Sequence, residues 1–106
     1  MLSIKNLTPN VYYSTDASTH IVDFRKIKVG DKAIAELEVD TRAVKDFETK
    51  ATCGCSSADD EETVDGKTKI TLQFKNTYSP KSFNKVIELL YNGKKEILRI
   101  KGTVEN

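Results

Sequence analysis

The chain is predicted to be all-β, an antiparallel sandwich of about seven short strands. Three observations carry this. Apolar residues alternate with polar ones at period two, turn residues recur at intervals of roughly ten positions, and no segment sustains a helical period over about ten residues. The clearest alternation is Thr68, Ile70, Leu72 and Phe74 against Lys69, Thr71, Gln73 and Lys75. A second sets Ala33, Ala35, Leu37 and Val39 against Glu36 and Glu38, the pattern of a strand with one face in the core and one in water.

In chain order, residues 1–19 read as an N-terminal arm or edge strand followed by a loop, and residues 20–106 as the sandwich domain. Leu2 and Ile4 alternate briefly before Pro9, Asn10 and the polar run Ser14 to Thr19. Tyr12 and Tyr13 within this stretch are either satellite core or a contact patch. From His20 to Val29, the pair Val22 and Phe24 and the pair Ile27 and Val29 are out of phase, which predicts a bulge between them. Gly30-Asp31-Lys32 is a turn. After the strand 33–39, Thr41 to Lys45 is a connection, and Phe47, Thr49 and Ala51 lead into Cys53. Ser56 to Gly66, rich in Asp and Glu, reads as a solvated loop with room for one short strand. Pro80 ends the strand after Phe74, and Phe83 to Tyr91, apolar on both faces near its middle, is expected to be a central strand. Asn92-Gly93 is the strongest hairpin signal, because both central positions of a type I′ turn need positive φ. The returning strand places Leu98, Ile100, Gly102 and Val104 on one face. The predicted core is Phe24, Leu37, Val39, Phe47, Ile70, Leu72, Phe74, Leu98 and Ile100.

Length and charge narrow the function classes. At 106 residues the chain fits one domain, and a net charge of +1 gives no global reason to expect nucleic acid or anionic lipid as a partner. No apolar run approaches the roughly 18 residues of a membrane span, so no membrane insertion is expected. The first residues lack the charged and apolar regions of a signal peptide. Charge is unevenly spread: residues 31–66 hold 4 basic and 11 acidic side chains, net −7, while residues 67–106 hold 9 and 3, net +6. Interleaved strands are expected to smear this separation out; the alternative is a pair of complementary faces for assembly.

Few residues carry reactive chemistry. Cys53 and Cys55, in Ala-Thr-Cys-Gly-Cys-Ser, are the only cysteines. In an extended strand they would sit about 6.6 Å apart on one face, near the limit for a disulfide. They are expected to be reduced, metal-free thiols at the sandwich edge, with a Gly54-assisted disulfide and a shared metal as the alternatives. A tetrahedral metal site would need more than Cys53, Cys55 and the distant His20, so no metal is predicted. His20 is read as a strand-end surface residue, because no sequence motif supplies it with a nucleophile and an orienting acid. Asp59-Asp60-Glu61-Glu62 lacks the spacing and glycine of a calcium loop. Asn6-Leu7-Thr8 matches the glycosylation triplet without a secretory context.

The order of motifs resembles a known family. An Asp23-Phe24 strand, a Val29-Gly30-Asp31 turn, Ala51 to Ser56, a Gly66-Lys67 turn, Ile70 to Phe74 and Leu98 to Val104 follow the layout of the bacterial domains with a Cys-Gly-Cys-Thr signature. That family is itself similar to the immunoglobulin-like domains of the Hydin and PapD/major-sperm-protein group. The resemblance covers roughly residues 20–104 and has one sharp motif, Cys53-Gly54-Cys55. Here Ser56 replaces the usual Thr, and Ser79-Pro80 replaces the usual Gly before the penultimate strand. The resemblance implies an immunoglobulin-like sandwich that serves as an interaction module in envelope or phage virion proteins, with no enzyme activity; no cofactor is expected. The expected function is a virion accessory (capsid auxiliary or decoration) protein that docks on capsid subunits. Docking would use an edge strand or the residues Leu2, Ile4, Tyr12 and Tyr13. An envelope or periplasmic interaction domain is the alternative, and a small metal or redox protein using the Cys-Gly-Cys motif is the third reading.

Overall fold

The computed structural model describes residues 1–63 and 65–106. Nine strands succeed one another: β1 (Ile4–Asn6), β2 (Tyr12–Asp16), β3 (Thr19–Lys28), β4 (Ala33–Asp40), β5 (Glu48–Ala51), β6 (Ser56–Glu62), β7 (Lys67–Phe74), β8 (Lys81–Tyr91) and β9 (Lys94–Glu105). They form a four-stranded sheet in the order β1-β4-β7-β6 and a five-stranded sheet in the order β2-β3-β9-β8-β5. Every pairing among the described residues is antiparallel except β3 with β9, which run parallel. With β1, β4, β7 and β6 as strands A, B, E and D, and β5, β8 and β9 as C, F and G, this is the strand order of an immunoglobulin-like sandwich. The β2–β3 hairpin is added beside β9.

The period-two pattern places the core. Alternate residues of β4 (Ala33, Ala35, Leu37, Val39) and β7 (Thr68, Ile70, Leu72, Phe74) are buried and face the inner residues of β3, β8 and β9. Of the predicted core residues, all are buried except Phe47, which lies half-buried against the cluster just before β5. The ring of Phe83 stacks on Phe74 at 3.9 Å and tilts against Phe24 at 6.0 Å. Gly102 permits this: a Cβ there would come within 2.9 Å of the Phe83 ring and 3.1 Å of Phe24.

The phase change in β3 is a bulge. The β3–β9 register shifts between Asp23 and Lys26, and Arg25 at its centre has φ of 58°. The β8–β9 turn is Asn92-Gly93, both with positive φ (50° and 71°).

Two stretches differ from expectation. The acidic segment read as a loop is largely a strand, since Ser56 to Glu62 pairs residue by residue with β7. Asp and Glu have low strand propensity, but a ladder with β7 and one exposed side override it at a sheet edge. On the other side of β7, pairing with β4 sets Lys67 and Lys69 beside Glu38 (3.4 Å) and Glu36 (3.0 Å), and interleaving mixes the charge that the sequence separates. The polar run after Tyr13 is also partly strand: Tyr12–Asp16 pairs with Thr19–Asp23 across a two-residue turn at Ala17 and Ser18. The described residues thus form nine strands rather than about seven.

Candidate functional site

Two features stand apart from the apolar core: a buried polar cluster behind the β2–β3 hairpin, and the Cys-Gly-Cys corner between β5 and β6. The first is built around His20. The alternation of β3 turns His20 inward with Val22 and Phe24, and it is fully buried rather than exposed as expected. On β9 the same alternation turns Glu96 inward with Leu98 and Ile100. His20 Nε2 lies 2.5 Å from Glu96 Oε1, and Nδ1 lies 2.7 Å from the Tyr13 hydroxyl. A carboxylate only accepts, so Nε2 carries the proton toward Glu96, and in the neutral ring Nδ1 accepts from Tyr13. Glu96 also accepts from the Tyr91 hydroxyl and from the backbone N–H of Leu2, at 3.2 and 3.1 Å to its two oxygens. Burial alone would raise the Glu96 pKa, but the bonds from Tyr91, His20 and Leu2 outweigh it and hold the carboxyl below its ordinary value. Burial, then the Glu96 charge, pushes the Tyr13 hydroxyl up; the Glu96 hydrogen bond leads the same shift at Tyr91. One carboxylate thus ties together the chain start, β2, β3 and the β8–β9 hairpin. The arrangement is a clamp: its donors are spent on one another.

At the second feature, β5 ends at Ala51 and the chain turns through Cys53 to Cys55 before entering β6. Cys53 and Cys55 are joined in a disulfide with Cα atoms 5.3 Å apart, so the expectation of reduced thiols is corrected. The ~6.6 Å spacing of an extended strand does not apply, because the chain turns at Gly54 and Cys55. His20 lies in the β3 clamp and is not grouped with the cysteines. The described residues bring together no set of three or more His, Cys, Asp or Glu side chains able to hold a metal.

The four sheet edges differ. β1 has 3 residues and β5 has 4, too short to offer much backbone. β6 has 7, but it carries Asp59, Asp60, Glu61 and Glu62 in succession. β2 has 5, and Tyr12-Tyr13-Ser14-Thr15 bear no charge. Asp16 and Thr19 flank a two-residue turn and form a hydrogen-bonded pair, so strict alternation leaves the N–H and C=O of Tyr13 and Thr15 pointing away from β3. Tyr12 is 49% exposed, and the Arg25 guanidinium lies 3.7 Å from its ring centroid. Of the four expected docking residues, only Tyr12 is exposed. Leu2 is buried in the core, Ile4 packs half-buried in β1, and Tyr13 is half-buried in the clamp.

No family model and no curated protein matches the chain. Among solved structures it is similar to the solution structure of a titin I27 domain mutant, with 13% identity, 91% of each chain covered and a TM-score of 0.42.

Proposed function

We propose that this domain is a non-enzymatic binding subunit that docks on a larger protein lattice by adding a partner strand to the β2 edge. One observation supports this reading above others. Of the four edges, β2 alone among the described residues combines several residues of uncharged backbone with an exposed aromatic side chain. An unpaired edge recruits a strand through its backbone groups, and Tyr12 adds a contact of the kind that anchors interfaces. The most specific form of the proposal is a phage virion accessory protein bound to capsid subunits, the setting that the resemblance to Cys-Gly-Cys-Thr domains implies.

Thr15→Pro is the direct test, because proline removes an outward N–H while leaving the ladder to β3. Particles from producing cells should contain the full-length protein at a fixed copy number. The variant should be incorporated at least about tenfold less, with its melting temperature little changed. Absence of the full-length protein from particles would overturn the virion form, and wild-type incorporation of Thr15→Pro would overturn the β2 edge.

The disulfide favours an envelope or periplasmic interaction domain as a second reading, since disulfides persist in oxidising compartments. Fractionation separates the two: protein in the periplasm of uninfected cells supports the second, protein only in particles the first.

A further inference from the structure

We infer that Cys53 and Cys55 form a reversible redox couple that exchanges disulfide for dithiol with an external dithiol while the sandwich stays folded. This is independent of β2 docking.

Three observations converge on it. First, the corner is held without the S–S bond. Ser56 donates to the Cys53 carbonyl from its backbone N–H (3.2 Å) and its hydroxyl (3.4 Å), Lys75 N–H donates to the Cys55 carbonyl (2.8 Å), and Thr52 donates to the Val86 carbonyl from backbone and side chain. Breaking the disulfide removes none of these bonds, so the two sulfurs stay close enough to re-form it. Second, the ring spans a sequence separation of only 2, so it restrains little of the unfolded chain and the fold does not depend on it. Third, the two sulfurs are unlike. Cys55 packs against the core, whereas Cys53 is half-buried outside it, and the Cys55 N–H points at Cys53 Sγ at 3.3 Å. An N–H directed at a sulfur favours its thiolate, which makes Cys53 the better leaving group on release and the better nucleophile when reduced.

The exchange balances as follows. A thiolate of the client dithiol attacks Cys53 Sγ. The Cys53–Cys55 bond breaks, its electron pair passes to Cys55 Sγ, and that sulfur takes up a proton. The client's second thiolate then attacks its own sulfur in the mixed disulfide and expels Cys53 as a thiolate, held by the Cys55 N–H. The client leaves as a disulfide, and the protein has gained two electrons, held as the Cys55 thiol and the Cys53 thiolate, which becomes the second thiol on taking a proton from water. The reverse sequence oxidises the protein.

The test is a redox titration of the full chain in mixtures of reduced and oxidised dithiothreitol, with thiols trapped by a maleimide and counted by mass spectrometry. The expected result is complete, reversible conversion between zero and two trapped thiols. The dithiol form should keep the β-sheet circular dichroism and melt within about 10 °C of the disulfide form. Single variants then assign the roles. With glutathione disulfide, Cys55→Ser should form the mixed disulfide on Cys53 at least about tenfold faster than Cys53→Ser forms it on Cys55. Two free thiols in every buffer, loss of the fold on reduction, or faster reaction at Cys55 would each overturn the proposal.

Discussion

The β2 and β6 strands are both sheet edges, and the sequence treats them in opposite ways. β6 is protected from the front: four successive exposed carboxylates, alternating between its two faces, flank its open edge, and any strand approaching it must overcome their charge. β2 is secured from behind. Its Tyr13 hydroxyl enters the buried cluster of His20 and Glu96, while its outer side carries no charge until Asp16. The difference shows two ways of handling an edge, one that repels a partner and one that holds a strand rigid and leaves it available. Strain fits the second. Ala17 and Ser18 in the β2–β3 turn have φ of 51° and 88°, a conformation that side-chain-bearing residues adopt at a cost of about 1–2 kcal/mol each.

The largest expected effect comes from cutting the anchor of β2. Glu96→Ala leaves His20 Nε2, the Tyr91 hydroxyl and the Leu2 N–H without their acceptor, and should cost about 3–5 kcal/mol in denaturant unfolding. Tyr13→Phe removes only the hydroxyl and should cost about 1–2 kcal/mol. Acid should weaken the same anchor. The Glu96 pKa is lowered in the folded state, so its contribution is present above the ordinary value near 4.5 and is lost as pH falls through the lower folded value. Unfolding curves across this range should show a fall in wild-type stability that is smaller in Glu96→Gln. Ser18→Gly relieves the turn and should stabilise the domain by roughly 1 kcal/mol, read as a higher unfolding midpoint. At the small end, Asp60→Asn on β6 should change stability by less than about 0.5 kcal/mol, because Asp60 is exposed and lies outside the clamp.

Much of the fold was legible because the core strands obey strict alternation. The bulge at Arg25 and the Asn92-Gly93 turn were readable from phase and from turn chemistry. The two added strands were not, since Tyr12 to Asp16 and Ser56 to Glu62 lack apolar alternation and exist only through pairing with β3 and β7. The clamp was half legible. His20 is in phase with Val22 and Phe24, and Glu96 with Leu98 and Ile100, so both should face inward. What brings them together is the parallel β3–β9 pairing, which sets His20 beside Leu98, two residues from Glu96, and which no local pattern announces. The disulfide stood only as an alternative to reduced thiols, because an extended chain sets the two cysteines about 6.6 Å apart; the turn at Gly54 shortens the Cα separation to 5.3 Å.

The account turns on β2 as the edge that accepts a partner strand. The most direct measurement is amide hydrogen exchange, residue by residue, on the free protein and on the protein in its assembly. The account predicts that the Tyr13 and Thr15 amides, outward-facing in the free domain, become protected by about a hundredfold or more on assembly, while the β6 amides do not change. Equal exchange at Tyr13 and Thr15 in the two states, or new protection along β6 instead, would contradict it.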